Sequence, residues 1–119
     1  MNNTQTEIRA EALGRITSAP KFQRTMTGTP ICRFEITAET GPASEPVVKP
    51  IYVWGLRDGE PDERLADLAV RCGRNLRIGD CVFVPGVERQ RSLKRGIEHA
   101  IIAEDVKLRA RGATTAEAG

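Results

Sequence analysis

The sequence predicts an all-β domain with one short helix: a five-stranded barrel whose helix lies between the third and fourth strands. Three observations predict it. Apolar residues alternate with polar ones in separate stretches along the chain, the period of a half-buried strand. One stretch alone, after Pro61, places apolar residues at helical spacing. Segments containing glycine and proline separate these stretches, where turns belong. At 119 residues the chain has the length of one domain, and it carries no internal repeats.

The expected domain spans residues 6–110, between a disordered start at 1–5 and a short disordered tail at 111–119. In the first strand Ile8, Ala10, Ala12, Gly14 and Ile16 alternate with Arg9, Glu11, Leu13 and Arg15. The small residues suit a bending sheet. Ser18 to Thr29 reads as a loop. The second strand runs from about Pro30 to Glu39, with Cys32, Phe34, Ile36 and Ala38 on one face. Thr40 to Pro46 is a flexible hairpin connection. The third strand covers about Val47 to Leu56, and Pro50 inside it argues for an edge or a bulge.

Pro61 to Cys72 is the helix. Leu65, Leu68, Ala69 and Cys72 share a face, Asp62 and Glu63 favour the positive end of the dipole, and Gly73 supplies a stop. The fourth strand runs from Cys81 to about Gln90, with a bend at Pro85-Gly86. Arg91 to Gly96 is a loop, and Ile97 to about Arg109 is the last strand. Three strands, a helix and two strands are the order of the OB-fold barrel, with the helix closing one end.

Composition narrows the function. The net charge of +2 is weak, but its distribution is uneven. Arg89, Arg91, Lys94 and Arg95 cluster with Glu88 as the one adjoining acid, a pattern that suits nucleic-acid contact as well as solvated surface. The acidic run from Asp58 to Asp67 reads as solvated surface and helix start. His99, the one histidine, sits in an alternating strand, and no nucleophile elbow, phosphate loop or zinc spacing is present. The expectation is a binding protein, not an enzyme, with no cofactor and no metal. Cys32, Cys72 and Cys81 lie far apart and read as buried thiols of a reducing, cytoplasmic compartment. No signal peptide opens the sequence and no apolar run approaches a membrane span, so no membrane partner is expected.

Several spaced motifs resemble bacterial-type single-stranded DNA-binding proteins. Gly14-Arg15-Ile16, Pro20 and Gly28-Thr29-Pro30-Ile31-Cys32-Arg33-Phe34 match that family's opening strands and loop. Val53-Trp54-Gly55 resembles its Val-Ala-Phe-Gly at the end of strand three. The run from Leu76 to Gly86 resembles its Leu-x-Lys-Gly-Asp-x-Val-x-Val-x-Gly. The resemblance covers about residues 6–110. It implies an OB-fold, sequence-tolerant binding of single-stranded DNA in replication, recombination or repair, and a homo-oligomer, tetramer in preference to dimer.

Such binding needs π faces for the bases and cations for the phosphates. Trp54 falls where the family has a stacking Phe. On residues alone it is either that platform or a plug in the core. Tyr52 shares its phase and would extend the platform, while Phe34 and Phe83 read as core. The family's other aromatic positions are occupied here by Val48, Leu93 and Arg24, which moves the expected mechanism from stacking toward charge. The expected cationic contacts are Arg15, Arg33, Lys49, Arg89, Arg91, Lys94 and Arg95. The family's acidic, Phe-terminated tip has no counterpart in the closing Ala-Thr-Thr-Ala-Glu-Ala-Gly. Two alternatives remain: a dimeric primosomal-type replication protein, and an OB-fold protein-interaction module without DNA binding.

Overall fold

The computed structural model describes residues 8–38 and 47–112, and for Arg91 the backbone alone. The expected disordered residues 1–5, the connection 40–46 and most of the tail lie outside the described residues. Five longer strands form the frame: β1 (Ile8–Ile16), β3 (Pro30–Ala38), β4 (Val47–Trp54), β7 (Cys81–Leu93) and β8 (Gly96–Ala103). Four short ones are added: β2 (Lys21–Arg24), β5 (Leu56–Arg57), β6 (Glu60–Pro61) and β9 (Lys107–Ala110). The single helix among the described residues, α1 (Glu63–Asn75), follows β6 and precedes β7.

The longer strands pair in a ring, β1 to β3 to β4 to β8 to β7 and back to β1. The ring is uneven. β1 and β7 pair continuously from Ile8↔Glu88 to Arg15↔Cys81, whereas parallel β4 and β8 meet at Ile51↔Ile101 and Tyr52↔Ile102 alone. At the level of class, mostly β with one helix and a compact sheet, the structure agrees with the sequence.

The inward phase of each strand fills the interior. Ile16, Phe34, Ile36, Ile51, Val53 and Val82 are among its buried residues. Leu65, Leu68, Ala69 and Cys72 of α1 pack on the same core, so the helical spacing in the sequence located the buried face. The sheet is drawn tight at glycine. A Cβ on Gly14 would run into the Thr37 carbonyl oxygen, and one on Gly86 into that of Ile102.

Several local expectations need correction. The segment Ser18 to Thr29 is not simply a loop. Thr25 N–H donates to the Thr29 carbonyl and Gly28 adopts φ 89°, so the chain folds back and β2 pairs with β3. Pro61 belongs to β6. Asp62 caps α1 instead, its carboxylate accepting from Leu65 N–H at 3.0 Å. Gly73 does not stop the helix, which runs on to Asn75. It admits Phe22 of β2, whose Cβ would stand 2.9 Å from a Cβ at that position.

The register of β1 against β7 passes through Pro85 and Gly86 without a shift. The irregularity lies between Cys81 and Val82, against β9. β7 extends to Leu93, so the expected loop Arg91 to Gly96 shrinks to a turn at Lys94-Arg95 before Gly96 at φ 135°. The expected last strand is two strands. Glu104 N–H donates to the Pro85 carbonyl and the chain then leaves β8, so β9 pairs with β7. Phe83 is half-buried on the outer face with the Arg109 guanidinium 5.4 Å above its ring, because Val82 and Val84 take the inward phase. Cys81 is likewise half-buried, not buried.

Candidate nucleic-acid interface

β4 separates its two faces cleanly. Ile51 and Val53 point into the core, which turns Tyr52 and Trp54 outward. Trp54 is 36% exposed and is not a core plug. Register places Arg33 of β3 opposite Tyr52, and Ile102 of β8 beside it on the other side. Val87 of β7 is opposite Ile102, and Arg89 lies two residues further along the same strand face. The outer face of β3, β4, β8 and β7 therefore collects Arg33, Tyr52, Trp54 and Arg89 from the sequence-predicted set.

Tyr52 is held in place. Its hydroxyl accepts from Arg33 Nε at 3.2 Å and donates to Glu98 Oε1 at 3.4 Å, and the Arg33 guanidinium lies 5.5 Å from its ring centroid. Arg33 Nη2 also faces Glu35 Oε2 at 3.1 Å and Glu98 Oε2 at 3.5 Å. Burial works against the charge of Arg33, but the hydrogen bonds to Tyr52 and Glu35 outweigh it and raise the pKa. With two carboxylates at hand, Arg33 positions Tyr52 and has little charge left for a phosphate.

Trp54 forms one wall of a groove of about 470 Å³. Leu56, Arg57, Asp58 and Gly59 of the β5–β6 hairpin also line it, and Val87 and Ile102 contribute apolar surface. The hairpin is a tight turn through Asp58 (φ 51°) and Gly59 (φ 81°). Arg57 and Arg89 both line the groove; neither side chain hydrogen-bonds to another described residue, though Arg57 lies within electrostatic reach of Glu104.

The basic cluster sits on the hairpin of β7 and β8. Lys94 and Arg95 are exposed at its turn, and Arg89 is exposed on β7. For Arg91 the backbone pairs with Glu98, and its side chain lies outside the described residues. Two other predicted cations stand apart from this face. Arg15 donates from Nη1 to the Gly79 carbonyl at 2.9 Å, which ties it to the turn before β7. Lys49 is half-buried on the phase of Ile51 and Val53, opposite to Tyr52. Arg64 and Arg71 are exposed on α1 and bond to Glu104 O and Asp67.

Sequence reasoning passed over Arg57, Ile102 and Glu98. Arg57 was hidden in an acidic run, but its place two residues before a glycine in a possible turn was a readable signal. The pairing of Glu98 with Tyr52 and Arg33 joins three strands and had no signal in the chain. His99 meets Glu88, Nδ1 to Oε2 at 3.0 Å. Burial pushes the Cys32 thiol up to about 11 and the Cys72 thiol up to about 12, so both stay protonated and inert at neutral pH. Among the described residues no group of His, Cys, Asp and Glu is placed to hold a metal, and no helix is long and apolar enough to cross a membrane.

This barrel with an aromatic outer face has the fold of single-stranded DNA-binding domains, an OB-type architecture. The single-stranded DNA-binding domain of a Synechococcus protein superposes with a TM-score of 0.64 at 14% identity, covering 89% of this chain and 99% of that one. A mitochondrial single-stranded DNA-binding protein of S. cerevisiae gives 0.69 at 14% identity, covering 92% and 100%. A small single-stranded DNA-binding protein of Streptomyces coelicolor gives 0.63 at 23% identity, covering 89% and 96%. No family model matches the sequence, and no curated protein matches it.

Proposed function

We propose that this chain binds single-stranded DNA with little sequence preference, in replication, recombination or repair, as a non-enzymatic OB-fold protein. The observation that carries the reading is Trp54, exposed on the outer face with Tyr52 two residues before it on the same strand face, and sharing a groove with Arg89. A base stacks on the indole, and the arginines and Lys94 track the phosphates. Proteins of the same fold carry single-stranded DNA binding in their names, which supports the reading. The finer architecture belongs to it too: a five-stranded OB barrel, with α1 between its third and fourth strands as an end plug.

One barrel offers a short track for DNA, and β2 and β9 are each paired along one edge alone. Both support a symmetric homo-oligomer, tetramer in preference to dimer, working inside the cell. One observation favours the rival protein-interaction module: Arg33 is already matched by Glu35 and Glu98. Titration of Trp54 fluorescence with oligo-dT separates them. Quenching that weakens with salt is expected, and absence of both quenching and affinity at low salt would overturn the DNA reading.

A further inference from the structure

We propose that the groove beside Trp54 is a pocket for one nucleobase turned out of the bound strand, walled by the indole and gated by Arg57 and Arg89. This rests on the single-stranded DNA reading and adds a subsite to it.

The volume, about 470 Å³, is in the lower part of the range for small-molecule sites and suits a nucleoside-sized group. The floor is apolar, with Val87, Ile102, Ala103 and Leu65 lining it. One wall is a flat π face. Such an apolar floor beside a π face accepts the ring of a base, while the polar groups of the lining remain for what flanks it. The hairpin side of the lining is shaped by the β5–β6 pairing of Leu56 with Pro61 and Arg57 with Glu60 around a tight turn.

Charge favours the same occupant. Glu104 accepts from Arg9 at 2.6 and 2.9 Å, so its charge is matched. Arg57 and Arg64 also lie within electrostatic reach of Glu104, so Arg9, Arg57, Arg64 and Arg89 outnumber Asp58 and Glu104 around the groove and leave it net positive. Two guanidiniums beside an apolar slot match a base flanked by its two phosphates. An apolar peptide side chain would use the floor but would leave the net positive charge around the groove unneutralised.

The test compares oligo-dT with an abasic strand of equal length, on the wild type and on Ile102→Phe. Ile102 is half-buried in the lining, and a longer, planar ring there projects into the slot and narrows it while leaving Trp54 and every cation in place. The wild type should prefer oligo-dT by about tenfold or more, the stacking gain expected per base. Ile102→Phe should lose most of that preference and much of the Trp54 quenching, while its salt slope stays that of the wild type. Leu56→Phe narrows the slot from the hairpin side and should do the same, which keeps the test decisive if Ile102→Phe fails to fold. Folded variants with the wild-type preference and quenching would overturn the pocket, because the base would then stack on the outer side of the indole. Failure of the wild type to bind oligo-dT would overturn the binding reading itself, and is seen before any variant is compared.

Discussion

Trp54→Ala separates binding from folding most sharply. Trp54 is 36% exposed as a residue. On an aromatic surface of about 250 Å², the exposed share is about 90 Å², and covering it with a base at ~25 cal/mol per Å² yields about 2 kcal/mol. That agrees with the ~1–3 kcal/mol typical for stacking of one base. Trp54→Ala should therefore weaken oligo-dT binding about 30-fold at low salt. Trp54→Phe should keep most of the affinity, since a π face remains. Stability should fall less than for a core aromatic. The buried share of the ring lines an open groove, so its removal leaves no closed cavity, and a loss of about 1–2 kcal/mol is expected in place of the ~3–5 of a buried Trp. The assays are thermal melting and fluorescence anisotropy of a labelled oligo-dT, on the same preparation. A melting loss as large as that of a core residue, with unchanged affinity of the folded fraction, would refute the assignment of Trp54.

Replacing Arg89, Arg91, Lys94 and Arg95 together by Ala should flatten the dependence of log affinity on log salt. The slope should change by about 0.7 for each phosphate that is no longer neutralised, as read from titrations at several salt concentrations. An unchanged slope would remove the β7–β8 hairpin from the interface. Asp80 is 2% exposed, and although burial disfavours its charge, bonds from Gly112 N–H, Arg77 N–H and Arg111 hold its carboxyl below the usual carboxylate range. A depressed folded pKa means that its stabilisation is complete above the unfolded value and is lost as pH falls through the folded one. Asp80→Asn should cost about 1–3 kcal/mol at pH 7 and shrink the acid-side loss of stability in melts across pH 2 to 7. With Ellman-type thiol titration at pH 8, half-buried Cys81 should react first, while Cys32 and Cys72, raised to about 11 and about 12, should react on unfolding.

The sequence by itself determined what period and turn chemistry can encode. Alternation in Ile8 to Ile16 and in Cys32 to Ala38 marked strand and face together, because successive side chains point to opposite sides. Helical spacing of Leu65, Leu68, Ala69 and Cys72 marked the buried face of α1. Phase along β4 placed Tyr52 with Trp54, but it left open which side was the core. Pairing decided that, since Ile51 and Val53 stack on the inward residues of β3 while Trp54 walls the groove.

Strand ends were illegible for a physical reason. β2, the extension of β7 to Leu93 and the separation of β9 from β8 depend on which backbone groups find partners across the sheet. Gly73 looked like a helix stop because its neighbour in space, Phe22, lies about fifty residues away in the chain. The charge balance of the candidate site was set in the same way. Arg15, Arg33 and Lys49 look alike as isolated cations, yet tertiary contacts tie the first to Gly79, match the second with Glu35 and Glu98, and turn the third to the opposite face. Residue type supplied the chemistry, and long-range pairing decided which of those groups face the same surface with their charge unmatched.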